Sequence, residues 1–149
     1  MTAPQRSESK ELLLVQSDPG EICRLEAAFD DVETPTTIHA ATDGFEAIRF
    51  LKERATVDPP SAPDLVLLDL HLPGKDGCEV LEAIRAEPQL RRLPVIVFTE
   101  ANETEAVTRC YDAYANAYVP KPTDTQEYEW VAKTIDEFWF GCVRLPPVS

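Results

Sequence analysis

Five short apolar runs, each followed by an amphipathic segment, predict an α/β fold: a three-layer, doubly wound (βα)5 domain around a five-stranded parallel sheet. Three observations carry this. Runs such as Leu65 to Leu68 contain no polar residue, which suits strands covered on both faces. The segments between the runs place apolar residues at helical spacing. Prolines, glycines and aspartates punctuate the joins between the two kinds of segment.

Taken in order, residues 1–10 are polar and are expected to be a flexible N-terminus, with the domain over residues 11–140 and a tail over 141–149. Leu12 to Val15 read as strand 1. Gln16-Ser17-Asp18-Pro19-Gly20 turns, and Pro19 suits the first position of a helix. Ile22, Leu25 and Phe29 give helix 1. Thr36 to Ala41, β-branched and short, is strand 2. Phe45, Ile48 and Leu51 mark helix 2 after the Asp43-Gly44 turn. Residues 55–63 hold three prolines and form a loop. Leu65 to Asp69 is strand 3. Helix 3 starts near Asp76, a candidate N-cap, and buries Val80, Leu81 and Ile84. Val95 to Thr99 is strand 4, and helix 4 sets Val107, Cys110 and Tyr114 on one face. Ala117 to Val119 is strand 5, ending at Pro120-Lys121-Pro122. Helix 5 has the clearest stripe, Tyr128, Val131, Ala132, Ile135, Phe138 and Trp139, and Gly141 ends it.

The 149 residues suffice for one domain with a core. No apolar run is long enough to span a membrane and residues 1–10 lack an apolar leader core, so a cytoplasmic location is expected. Cys23, Cys78, Cys110 and Cys142 are widely spaced, and buried free thiols are expected rather than disulfides or zinc ligands. Net charge is −13, which makes nucleic acid a poor partner. His39 and His71 have no partner at metal-ligand spacing.

In this fold the carboxyl ends of strands 1, 3, 4 and 5 meet at one edge, where open parallel sheets bind ligands. That edge gathers Ser17, Asp18, Asp69, Thr99 and Lys121. A phosphoryl group on Asp69 would need a cation, a lysine and a hydroxyl to neutralise its oxygens. Each residue also has an ordinary alternative: Asp18 capping helix 1, Thr99 capping helix 4, Lys121 as a surface charge.

These residues resemble the receiver domains of two-component response regulators, over roughly residues 11–139. Leu67-Leu68-Asp69-Leu70-His71-Leu72-Pro73-Gly74-Lys75-Asp76-Gly77 resembles the phosphoacceptor segment. Thr99 resembles the switch hydroxyl, Lys121-Pro122 the Lys-Pro pair, and Tyr118 the aromatic switch position. Short stand-alone, phytochrome-associated receivers are the nearest likeness. The resemblance implies a flavodoxin-like (CheY-like) sheet of order 2-1-3-4-5 and phosphorylation of Asp69 by a histidine kinase. It further implies Mg2+ held by Asp69 and the backbone carbonyl of His71, with Thr99, Lys121 and Tyr118 as switch residues. Receivers carry two acids just after strand 1, where this chain has Gln16 and Ser17. Asp18 and Ser17 are the candidate replacement ligands. Two readings follow: a phosphorylated receiver, or a pseudo-receiver that signals by binding alone. An aspartate-nucleophile phosphatase is a third, although His71 stands where a second carboxylate would be needed. A flavin module lacks a phosphate-cradling loop. A receiver whose chain ends soon after helix 5 is expected to act by docking on another, downstream protein. Trp130 lies off the helix 5 stripe, which points to a homodimer through helix 4, strand 5 and helix 5, or to cover by Val143 and Leu145.

The acid excess and the low lysine share, five of the 14 basic residues, resemble proteins of salt-loving microbes. Screening of self-repulsion then predicts a melting temperature that climbs in molar salt, and equal melting at low and high salt would count against that origin.

Overall fold

Side chains alternate across a strand, and in this chain both sets are apolar. The computed structural model describes residues 9–57, 60–100 and 103–141. Strands β1 (Lys10–Val15), β2 (Thr36–Ala41), β3 (Leu65–Leu68), β4 (Val95–Thr99) and β5 (Ala117–Pro120) form one parallel sheet in the order β2-β1-β3-β4-β5. Leu12, Leu14, Leu65, Leu67, Ile96 and Phe98 face α1 (Pro19–Asp30) and α5 (Thr125–Thr134). Leu13, Val15, Val66, Leu68, Val95 and Val97 face α2 (Gly44–Thr56), α3 (Gly77–Ala86) and α4 (Thr104–Asp112). Leu12 to Val15, Leu65 to Leu68 and Val95 to Phe98 of the three central strands are thus apolar because helices cover both sides.

Four helices open on an aspartate. Asp18, Asp43, Asp76 and Asp124 each accept a backbone N–H of the first turn, and Asp76 completes a capping box with Glu79. A negative group there also suits the positive end of the helix dipole. Part of the acid excess is therefore helix punctuation. His39 lies on β2 beside Glu11 at 3.0 Å, with its ring centroid 5.0 Å from that of Phe50, as a satisfied strand residue. Among the described residues, no helix is long and apolar enough to cross a membrane.

Several expectations need correction. Phe45 is 61% exposed, although Leu51 is buried and Ile48 packs against the core as expected; the first turn of α2 turns Gly44 and Ala47 inward instead. The Phe45 ring lies over Gly74, which holds a left-handed φ of 73°. Tyr114 does not share the buried face of Cys110. Helix α4 stops at Asp112, Tyr114 takes φ 66°, and the Ala115 amide bonds back to the Cys110 carbonyl. That turn swings the ring outward. Cys78 and Cys110 are buried free thiols with Sγ atoms 3.7 Å apart, and burial together with Cys78 pushes the Cys110 thiol up to about 12. Cys23 is free but exposed, on the outer face of α1, and Cys142 lies outside the described residues.

The last correction concerns the end of the chain. Beyond α5 the backbone widens into a π-helical stretch, Ile135–Phe140, which ends at Gly141. A wider turn rotates each later residue backwards relative to α-helical spacing. Phe138 therefore points out at 52% exposure, Trp139 is half-buried, and Phe140 is buried at 4%. The same rotation brings Asp136 inside, where it accepts the Thr34 amide at 3.3 Å. Val143 and Leu145 lie outside the described residues. In urea unfolding, Phe140→Ala is expected to cost about 3–5 kcal/mol, and Phe138→Ala no more than about 0.5 kcal/mol. The reverse ranking would restore continuous α-helical spacing.

Candidate functional site

The ladder of the sheet delivers four side chains to one place. Asp69 follows β3 directly, and its amide bonds the Val15 carbonyl at the end of β1. Thr99 closes β4, and its carbonyl takes the Lys121 amide at 2.8 Å. Gln16 follows β1, anchored by its amide on the Ala41 carbonyl. Behind Asp69 packs Gly77. A Cβ there would stand 2.3 Å from the Asp69 carbonyl oxygen, so only glycine lets α3 close on the acceptor turn.

The Asp69 carboxylate is 5% exposed and engaged on both oxygens. Oδ1 accepts the Thr99 hydroxyl at 2.8 Å and the His71 amide at 3.1 Å. Oδ2 lies 2.7 Å from Lys121 Nζ. Thr99 is fully buried and spends its hydroxyl on Asp69. Lys121, its side chain 7% exposed, is no surface charge. Its ammonium also reaches Gln16 Oε1 at 3.2 Å and both oxygens of Glu21, at 2.8 and 2.9 Å.

Burial pulls the Lys121 pKa down, but the hydrogen bonds to Asp69 and Glu21 outweigh it and the net direction is upward. Glu21 moves up as well. Its burial dominates, with Asp69 and Asp18 adding repulsion that the Lys121 contact only partly offsets. One ammonium thus serves two buried carboxylates.

Glu21 did not figure among the expected site residues. The signal was legible nonetheless. Glu21 shares the face of Leu25 and Phe29 on α1, and a carboxylate on a buried stripe demands a cationic partner. Asp18, in contrast, does not enter the pocket. It is exposed, and its Oδ1 caps α1 by accepting the Gly20 amide at 3.0 Å. Ser17 is exposed too. His71 brings its backbone N–H to Asp69 while its side chain faces solvent. Tyr118 sits on β5, half-buried against the α4 side of the core, and burial raises its phenol.

A dication fits this donor set poorly. Mg2+ favours carboxylate and other oxygen ligands in octahedral array. Both buried carboxylates are already paired with Lys121, and the third nearby acid, Asp18, is exposed and caps α1. Among the described residues, no group of three His, Cys, Asp or Glu side chains is arranged to hold a metal ion.

Removing the ammonium would leave two facing buried charges. Lys121→Met is expected to cost about 3–5 kcal/mol at neutral pH. Because the folded Lys121 pKa is raised, its stabilisation is complete below the ordinary lysine range and is lost as pH climbs through the raised value. Denaturant titrations of both proteins should converge at strongly alkaline pH, and a gap independent of pH would refute the pairing.

Comparison with known proteins agrees with this edge geometry. Residues 12–132 match the family model of the response regulator receiver domain. Response regulator Rcp1 of Synechocystis sp. is 36% identical over 104 residues, covering 70% of this chain and 71% of the relative. The probable methanogenesis regulatory protein FilR2 of Methanothrix harundinacea is 32% identical over 135 residues, covering 91% and 86%. Among solved structures, the phosphorylated cyanobacterial phytochrome response regulator RcpA superposes with TM-score 0.86 at 33% identity, covering 93% of this chain and 99% of that one. The Mn2+-bound form of Rcp1 gives 0.83 at 30% identity, with the same coverage. With its sheet order, its buried carboxylate at the tip of β3 and these relatives, the chain belongs to the response regulator receiver family, related to the phytochrome response regulators.

Proposed function

We propose that this receiver takes a phosphoryl group on Asp69 from a phosphohistidine of a histidine kinase and passes the signal on by docking to a downstream protein. One observation carries the reading: a single buried carboxylate has the Thr99 hydroxyl on one oxygen and the Lys121 ammonium on the other. An Asp69 oxygen attacks phosphorus, the phosphorus–nitrogen bond to the kinase histidine breaks, and the electron pair leaves on the imidazole. The Thr99 hydroxyl and Lys121 ammonium then lie beside the new phosphoryl oxygens, where preorganised donors offset the added charge. Tyr118, on the neighbouring strand, is the group whose packing would report the change.

A second reading has a specific observation in its favour. Gln16 and Ser17 stand where receivers carry acids, and Lys121 is already held by Glu21. A pseudo-receiver would keep this charge-balanced pocket as structure and signal by binding alone. Intact-mass measurement after incubation with acetyl phosphate separates the two. Added phosphoryl mass on the wild type and none on Asp69→Asn supports the acceptor. An unmodified wild type, under conditions that label a control receiver, establishes the second reading.

For the docking surface we propose the face of α4, β5 and α5. Trp130 is 64% exposed there, beside an apolar hollow of about 130 Å3 lined by Ala117, Val119 and Trp139. Exposed tryptophans of this kind are frequent anchors of interfaces. A homodimer through this face is expected in sedimentation at high concentration and native salt, with Trp130→Ala weakening it by about tenfold or more. A wild type that stays monomeric would reject the dimer.

A further inference from the structure

We infer that the Asp69 pocket holds its oxyanion without a divalent cation, with Lys121 as the resident cation, Glu21 as the residue that positions it, and the Gln16 amide as an additional donor. The identity of the oxyanion, a phosphoryl group, rests on the acceptor reading above; the absence of a dication site does not.

The orientation of one amide carries the argument. An ammonium can only donate hydrogen bonds. Lys121 Nζ lies 3.2 Å from the Gln16 amide, so the oxygen Oε1 must face it. The Nε2 group is then directed elsewhere in a pocket wall only 1% exposed, and among the described residues it has no hydrogen-bond partner. A buried, unsatisfied donor costs about 1–3 kcal/mol. An NH2 group cannot ligate a metal cation, but it can bond a phosphoryl oxygen. At the tip of β1 this chain offers a neutral donor without an acceptor among the described residues, while the anionic oxygens of Glu21 lie against the Lys121 ammonium.

The charge arrangement agrees. Asp69 and Glu21 present two buried carboxylates, and both are paired to the same ammonium at 2.7 to 2.9 Å. Glu21 approaches from the first turn of α1, so it grips Lys121 rather than extending the tip of β1. A dication entering here would have to displace a buried lysine whose charge both carboxylates stabilise. Repulsion between a divalent cation and an ammonium a few ångströms away opposes that entry. The one candidate replacement acid, Asp18, is exposed and caps α1.

With acetyl phosphate as donor the step balances on these residues alone. A bond forms between an Asp69 oxygen and phosphorus, the bond from phosphorus to the acetate oxygen breaks, and acetate leaves with the electron pair. No proton and no redox partner is required.

Two measurements test the inference. The first is intact mass after acetyl phosphate in excess EDTA and in Mg2+. Wild type is expected to be labelled to within about twofold in the two conditions. Gln16→Glu, which replaces the donor by a carboxylate, is expected to lose at least about tenfold of its labelling in EDTA and regain it with Mg2+. Wild-type labelling that appears only with Mg2+ overturns the inference. The second is Mn2+ titration followed by electron paramagnetic resonance, which needs no phosphorylation. Wild type is expected to show no saturable site, and Gln16→Glu/Ser17→Asp to bind at least about tenfold more tightly. Saturable binding to wild type that Asp69→Asn removes overturns the inference. Absence of labelling in both conditions defeats the acceptor reading, and the Mn2+ result then decides the cation question by itself.

Discussion

The buried ammonium of Lys121 is the constraint on which the functional edge of this domain depends. Two carboxylates, Asp69 and Glu21, are each less than a tenth exposed. Burying two carboxylates in so small a volume requires a close opposite charge. Lys121 supplies it for both, and it can do so because β5 lies next to β4, Pro120 pairs with Thr99, and the following Lys121 amide bonds the Thr99 carbonyl. The strand ladder is thus more than scaffold. Its register brings a lysine from near the end of the chain onto an aspartate in the middle and a glutamate near the start.

What surrounds that ion cluster is arranged to keep it in place. Thr99 donates to Asp69 from the end of a fully buried strand, and the His71 amide donates to the same oxygen from the acceptor turn. Gly77 lets α3 press against the backbone of Asp69, and the capping box at Asp76 fixes where that helix begins. Few of these groups have freedom to relax.

Within that shared frame, the charges at the functional edge of this chain come from α1, β3 and β5. The chain superposes closely on phytochrome response regulators, one of them solved with Mn2+ bound and one phosphorylated. The acid that reaches the pocket from the N-terminal part of this chain comes from α1 and pairs with lysine.

Strand positions and caps were legible from residue order alone, because they are decided locally. Apolar runs such as Leu65 to Leu68 and Val95 to Phe98 have no other stable home than a two-sided sheet, and Asp76 before Gly77 and Glu79 marks its helix start without any distant contact. The gathering of Asp69, Thr99 and Lys121 followed from topology, since parallel strands place their carboxyl ends together. Tertiary packing decided what spacing could not. Asp18 was equally able to cap or to enter the pocket, and helix α1 claimed it for the cap. Glu21 became a site residue only when the sheet brought Lys121 to it from 100 positions away. Phe138 and Phe140 exchanged roles because the π-helical stretch, which accommodates Asp136 beneath the Thr34 amide, rotates the helix end out of its own period. Local propensity determines which elements form. The partners of buried charges, and the residues that face the core at a distorted helix end, are settled by which distant groups share the same small volume.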